Sequence, residues 1–263
     1  MDEKEFIDQN NLGDKFTSAR TQRCEELMIP EARAQLDLPL EEKEKKAKEM
    51  MREAFKKFKN VGLGFSGGSD SVVLLHMALQ VKPDIQTVFS DTQHEFPETY
   101  TYIEDLRKDW QLLKHTSVMA PANKEKEFEK QFGVKTAEFT TTCCQYHKIA
   151  PLMKAIADFG FDAFLVGLRG VEHEERAKET FYSPRHNPDH IRVHPMLSWR
   201  KDDVIAYLKK YNLKVNPMYA KGYTSLGCTI CTSPNLDPNA HERAGRGVVR
   251  ETIMKKLRDL GYT

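Results

Sequence analysis

No apolar run in this 263-residue chain approaches the roughly 20 residues that a bilayer-crossing helix needs, so a membrane span is not expected. Charge of one sign is also lacking: 40 Lys and Arg stand against 39 Asp and Glu. A balanced chain exerts no general pull on nucleic acid or anionic lipid, and only local basic patches could do so. The N-terminus, Met1-Asp2-Glu3-Lys4-Glu5, is acidic and lacks the basic-then-apolar order of a secretion signal, so a cytoplasmic protein is expected. Cysteine is scarce, confined to Cys24, Cys143, Cys144, Cys228 and Cys231. In a reducing compartment such thiols are more often metal ligands or reactive groups than disulfides. There is no internal repeat and no low-complexity linker.

What is present, 40% hydrophobic and 30% charged residues, is the composition of an ordinary globular chain able to bury a sizeable core. The first sixty residues are charged and helical in pattern. Met50, Met51, Ala54, Phe55 and Phe58 recur at helical spacing within 41–59, which predicts a solvated helix with one face on the core. Residues 1–59 thus read as an N-terminal helical extension, and 60–263 as the main domain.

From Val61 onward short apolar strands alternate with helical segments. Strands are expected at 61–65, 85–89, 112–118, 163–167 and 191–194, with helices at 69–81, 97–110, 144–159 and 200–211. That alternation predicts an α/β fold, a doubly wound and mainly parallel sheet covered on both faces. Ligands of such sheets sit beyond the carboxyl ends of the strands, here the loops 66–71, 90–95, 167–178 and 194–198.

The first of these loops, Ser66-Gly67-Gly68-Ser69-Asp70-Ser71, follows a strand and opens a helix. Two glycines allow close backbone approach to a ligand, and first-turn amides have no intrahelical acceptors. The hydroxyls of Ser66, Ser69 and Ser71 add donors, and Asp70 could cap the helix or hold a phosphate-bound metal ion. A tight turn with a polar cap fits the same spacing. The loop is not a Walker motif, which requires Gly-Lys-Ser/Thr.

Phe65-Ser66-Gly67-Gly68-Ser69-Asp70-Ser71 resembles the SGGxDS signature of the PP-loop ATP pyrophosphatases. The segment Phe89-Ser90-Asp91-Thr92-Gln93-His94-Glu95-Phe96-Pro97-Glu98-Thr99-Tyr100 is similar to one shared by two members of that superfamily, the sulfonucleotide (APS/PAPS) reductases and the ATP sulfurylase small subunit. The resemblance implies an adenine nucleotide α-hydrolase-like fold, with Ser66, Gly67, Gly68, Asp70, Ser71 and Asp91 at the nucleotide.

The remaining cysteines form an adjacent pair, Cys143-Cys144, and a C-x-x-C pair, Cys228-Thr229-Ile230-Cys231. Adjacent side chains diverge and reach two irons of a cubane more easily than one tetrahedral ion. Spacing alone leaves a cluster, zinc and thiol chemistry open. The segments 142–152, 222–232 and 241–246 resemble those of [4Fe-4S] sulfonucleotide reductases, which implies that the four cysteines hold one such cluster with Lys148 close by. Arg169 and Arg176, in a stretch similar to an anion-binding region of both relatives, are then expected at the sulfate end, although pairing with Glu172, Glu174, Glu175 and Glu179 is the plainer alternative. His194 and Trp199 fit better as packed residues than as catalysts.

Two features depart from the reductase pattern. The reductases carry a nucleophilic cysteine in a Glu-Cys-Gly-Leu-His motif near the C-terminus, whereas no cysteine follows Cys231 here. That leaves Cys24, in a helical pattern suited to burial, or an external thiol. The second departure is the full SGGxDS loop, which suits ATP.

Three functions follow. The chain reduces APS or PAPS to sulfite and AMP or PAP with electrons from thioredoxin or another thiol. Alternatively it is an ATP pyrophosphatase of the sulfate-activating or tRNA-thiolating kind, with Mg²⁺ on the pyrophosphate and nucleic acid as partner only in the tRNA case. Or it is a non-catalytic nucleotide-binding or redox-sensing subunit. The oligomeric state stays open, a homo-oligomer included.

Overall fold

A computed structural model describes residues 19–133, 140–237 and 239–260. Three helices lead in: α1 (Ala19–Leu27), α2 (Pro30–Arg33) and α3 (Leu40–Lys57). In α3 the acidic Glu41 and Glu42 lie at the N-terminal end and the basic Lys56 and Lys57 at the C-terminal end, matching the helix dipole. Its buried face, Ala47, Met51 and Ala54, joins the main core rather than closing on its own helices.

The alternating region then runs β1 (Val61–Gly64), α4 (Ser69–Val81), β2 (Gln86–Ser90), α5 (Pro97–Asp109), β3 (His115–Val118) and α6 (Ala122–Phe132). Next come α7 (Thr140–Cys144), α8 (Ala150–Asp158), β4 (Ala163–Leu165), α9 (Glu174–Ala177), β5 (Tyr182–Arg185), β6 (His190–Val193) and α10 (Lys201–Lys210). After an irregular stretch the chain ends in α11 (Val248–Thr252) and α12 (Met254–Asp259). No described helix is long and apolar enough to cross a membrane.

The six strands form one sheet in the order β3-β2-β1-β4-β6-β5, parallel except for β5. The chain builds outward from β1 to β3, then crosses to β4 on the other side. The crevice outside β1 and β4 is therefore the topological switch point, where ligands of such sheets bind. α4 is apolar almost all round, with Val72, Val73, Leu74, Leu75 and Met77 fully buried, and packs between the sheet, α3 and α10.

Two differences from the sequence expectation have local causes. The segment 144–159 is not one α-helix: Gln145–Ile149 widens into a π turn between α7 and α8. Pro151, in the first turn of α8, has no amide to give the ladder, and in the same turn the Lys148 carbonyl accepts a hydrogen bond from Ser90 Oγ at 2.9 Å. Strand β5 was not expected, because Tyr182-Ser183-Pro184-Arg185 is short and contains proline. An antiparallel edge tolerates proline, since one side of the strand needs no donor.

Behind that edge the segment 194–199 is packed core rather than an open loop: His194, Met196, Leu197 and Trp199 are all inaccessible. Burial pushes His194 down to about 3, His190 to about 4 and His173 to about 4, from an ordinary 6.5. Burial raises the Glu179 carboxyl, but its hydrogen bond from Arg185 and further charges outweigh this and hold it at about 2. All four groups bind fewer protons folded than unfolded below their ordinary values, so acid favours the unfolded chain. Stability should therefore be intact above pH 6.5 and fall from there to about 4 as the histidines are driven to charge, then further below pH 4.5 as Glu179 is titrated. Urea midpoints measured from pH 8 to 3 should decline over that window, and a midpoint flat from pH 7 to 4.5 would contradict the histidine contribution.

Candidate active site

The loop after β1 makes its turn at Gly67, whose φ of +73° is costly for any other residue. A Cβ there would also press Ile103 Cγ1 at 3.0 Å. Gly68 then caps α4 without a side-chain bond, and the first intrahelical bond runs from Val72 N to Gly68 O at 3.0 Å. First-turn amides lack intrahelical acceptors and can serve an anion in the switch-point crevice, except that of Ser69, which goes to Tyr219. Ser71 Oγ donates to Gly68 O at 2.8 Å and accepts from Ser66 N at 3.2 Å, which fixes the curvature of the loop.

Ser66, Gly68, Asp70 and Ser71 line a cleft at this crevice. Ser69 turns the other way. Its Oγ accepts from Lys201 Nζ at 2.8 Å and from Tyr219 Oη at 3.1 Å, while its amide donates to Tyr219 Oη at 2.9 Å. Lys201 is buried, and although burial disfavours its charge, Tyr219, Asp70 and Glu242 outweigh it and raise its pKa.

From the far side of the cleft, the loop after β4 comes so close that a Cβ on Gly167 would meet Asp70 O at 3.0 Å. It carries Arg169, which is 1% exposed. Arg169 Nε donates to Asp70 at 2.6 Å, Nη2 donates to both Glu242 oxygens at 2.7 and 2.8 Å, and its amide donates to Glu172 at 3.2 Å. Burial opposes the guanidinium charge, but Asp70, Glu242 and Glu172 more than offset it and raise its pKa. Asp70 therefore neither caps α4 nor stands free. Glu172 in turn pairs with Arg176, and burial of its carboxyl is outweighed by Arg176, Arg169 and Arg243, which hold it well below the usual carboxylate range.

The charged part of the lining is mainly cationic. Lys148, Arg176, Arg192, Lys201, Arg243 and Arg246 join Arg169, against the carboxylates of Asp70, Glu95, Glu172 and Glu242. Seven cations facing four anions suit a multiply charged anion. Asp91 is not among them: its carboxylate accepts from Gln93 N at 2.7 Å and Tyr100 Oη at 2.7 Å, and it borders a separate depression with Arg107 and His115. The resemblance placed Asp91 at the nucleotide, but the short Asx turn it makes points it away, and Ser90 faces the cleft instead.

A family model described as the phosphoadenosine phosphosulfate reductase domain matches residues 60–234. The chain belongs to the phosphoadenosine phosphosulfate reductase family. The adenosine 5'-phosphosulfate reductase of Staphylococcus epidermidis is 31% identical over 211 residues, covering 80% of this chain and 86% of that protein. That of a Geobacillus species is 32% identical over 220 residues, covering 83% and 92%. The phosphoadenylyl-sulfate reductase from Candida auris, in a phosphate complex, superposes with a TM-score of 0.60 at 23% identity over 70% of this chain and 88% of that one. Candida glabrata FMN adenylyltransferase gives 0.54 at 19% over 84% and 75%. These two speak for the fold, which is the adenine nucleotide α-hydrolase-like one.

In this reductase-family chain the two cysteine segments converge beside the cleft. Cys143 and Cys144 close α7, four to five residues before Lys148, and Cys228 and Cys231 flank a 3₁₀ turn next to the cleft residue Gly227. All four are free thiols. Burial, then the neighbouring Cys144, Cys228 and Cys231, push Cys143 up to about 12. Cys231 is raised by burial, and Arg250 and Arg246 act against that rise. Cys24 lies elsewhere, fully buried among Met28, Leu168, Val171 and Leu197, with burial pushing its thiol up to about 11. A protonated, inaccessible thiol is a poor nucleophile.

Sequence reasoning assigned no role to Lys201, Tyr219, Glu242, Arg243 or Arg246. Lys201 did carry a signal, since a lysine at the first position of a helix opposes the dipole and needs another reason to be there. Replacing Arg169 by Ala leaves Glu242, which is buried, and Asp70, which is partly buried, without their guanidinium partner and should cost about 3–5 kcal/mol. Arg169→Lys should recover only part of this, because one ammonium cannot bridge Asp70 and Glu242 as the forked guanidinium does. Urea unfolding of both variants reads the difference, and an unchanged midpoint for Arg169→Ala would show that the network does not hold the loop.

Proposed function

We propose that the chain reduces a sulfonucleotide, APS or PAPS, to sulfite and AMP or PAP, with electrons from an external dithiol such as thioredoxin. The observation that carries this is the meeting of the 66–71 loop and both cysteine segments at one cation-rich cleft, in a chain of this family. Amides of the loop take the nucleotide phosphate, with Ser66, Gly68 and Ser71 lining that end of the cleft. Lys148, Arg176 and Arg246 take the sulfate end. Arg169, tied to Asp70 and Glu242, positions the loop and keeps only Nη1 for a ligand.

The sulfur atom is attacked by a thiolate of the dithiol; the S–O bond to the nucleotide breaks and its electron pair leaves on the phosphate oxygen. The second thiol then displaces sulfite and closes the disulfide, so two electrons pass from the dithiol to sulfur. Cations around the sulfate oxygens and the leaving phosphate lower the barrier by neutralising charge there. The attack is assigned to an external thiol because Cys24 is buried away from the cleft and the other four cysteines are those of the proposed cluster.

Cys143, Cys144, Cys228 and Cys231 would hold a [4Fe-4S] cluster. Among the described residues, no three of their sulfurs lie within 4.8 Å of one another. Ligands of a single zinc, with Zn–S near 2.3 Å, would stand only about 3.8 Å apart. Arg246 and Arg250 beside Cys231 would offset thiolate charge. When bound, the cluster would supply a polarisable charge beside the sulfate end of the cleft.

The intact SGGxDS loop favours a second reading, an ATP pyrophosphatase. Incubating anaerobically purified protein with APS, PAPS or ATP and reduced thioredoxin separates the two. Sulfite formed without ATP is the expected result, together with four iron and four sulfide per chain; pyrophosphate from ATP and no sulfite would overturn the reading. Cys24→Ser should leave sulfite formation unchanged, whereas Lys148→Ala should lower it by about 10²-fold or more through loss of transition-state charge neutralisation.

A further inference from the structure

We propose that His94, Glu125 and His147 form a site for one first-row divalent cation, zinc by its ligand chemistry, separate from the cysteines. Their ligand atoms all lie within 4.8 Å of one another. His147 Nε2 is 3.6 Å from Glu125 Oε1, and the imidazoles of His94 and His147 meet edge to face at 5.1 Å. Ligands of a tetrahedral zinc, at about 2.0–2.1 Å each, stand about 3.4 Å apart, so only small side-chain movements would complete the set.

The second observation is an orphan atom. His94 Nε2 is buried and has no hydrogen-bond partner, a costly state that coordination would relieve. Two imidazoles and one carboxylate leave a fourth position for water, a donor set that suits zinc better than magnesium or calcium.

The site's place in the fold gives the ion a task. His94 lies in the turn after β2, Glu125 in the first turn of α6, and His147 in the π turn three residues past Cys144. The His94 carbonyl accepts from Thr229 N at 2.8 Å and Thr229 Oγ1 at 3.0 Å, inside the C-x-x-C turn. A cation here would tie both cysteine segments to the sheet and fix their separation. The proposal does not depend on which nucleotide the cleft takes.

The test is zinc titration of the anaerobically purified full chain with its iron in place, combined with zinc-edge X-ray absorption. One zinc per chain should bind, with nitrogen or oxygen neighbours near 2.0–2.1 Å and no sulfur shell near 2.3 Å. His94→Ala and Glu125→Gln should each weaken zinc binding at least 10-fold while iron and sulfide stay unchanged. Glu125 sits on a helix surface with a partly exposed side chain, so its variant keeps the fold even where His94→Ala does not. Zinc binding unaffected by Glu125→Gln, or a sulfur shell around the zinc, would overturn the assignment.

Discussion

The guanidinium of Arg169 joins parts of the chain that the sheet alone leaves separate. It sits on the loop after β4, takes Asp70 from the loop after β1, and takes Glu242 from the C-terminal segment. The network continues through Glu172 to Arg176, and Arg243 bonds Glu251 at 2.7 Å. Glu172 and Glu242 are buried and would be costly to leave charged in isolation, and Asp70 and Glu251 are partly so. The arrangement therefore has two favourable states, fully assembled or opened to water, and the assembled one sets the distance across the cleft. Gly167 is the steric counterpart, since the backbone approach that lets Arg169 reach Asp70 leaves no room for a side chain.

On the other flank of the cleft the geometry comes from a helix defect. The π turn at 145–149 keeps Lys148 facing the cleft, while Ser90 Oγ donates to its carbonyl and ties the turn to the end of β2. A regular helix through this segment would advance each later residue by a different angle and carry Lys148 away from that direction. The same turn places His147 toward His94 and Glu125, so one local irregularity serves the anion cleft and the cation site alike.

Much of this was legible in the sequence, and the failures are instructive. Helix 69–81 and the central strands were readable because apolar content and the Gly/Ser loop agree on the same boundaries. Trp199, His194 and Cys24 were readable as buried. Strand β5 was not, since an edge strand with proline has neither the alternation nor the run length of a strand. For Asp91 a motif conveys neighbourhood but not which way the carboxylate turns, here into an Asx turn ahead of the positive-φ residue Gln93. Lys201, Tyr219 and Glu242 were missed because their role arises only where the chain returns to the loop from more than a hundred residues away.

The intact 66–71 loop and the four cysteines point in different chemical directions, and the partners of the loop residues bear on that tension. An ATP-cleaving site needs a carboxylate free to hold Mg²⁺ on the departing pyrophosphate. Asp70, the loop's one carboxylate, is committed to Arg169 at 2.6 Å, and magnesium would have to displace a buried guanidinium to reach it. The Ser69 amide is likewise committed to Tyr219. What stays available is a set of loop amides and fixed cations, which can neutralise the charge of the proposed sulfonucleotide without a metal. The sequence of the loop resembles that of an ATP site, but its bonding leaves it no carboxylate of its own free for magnesium.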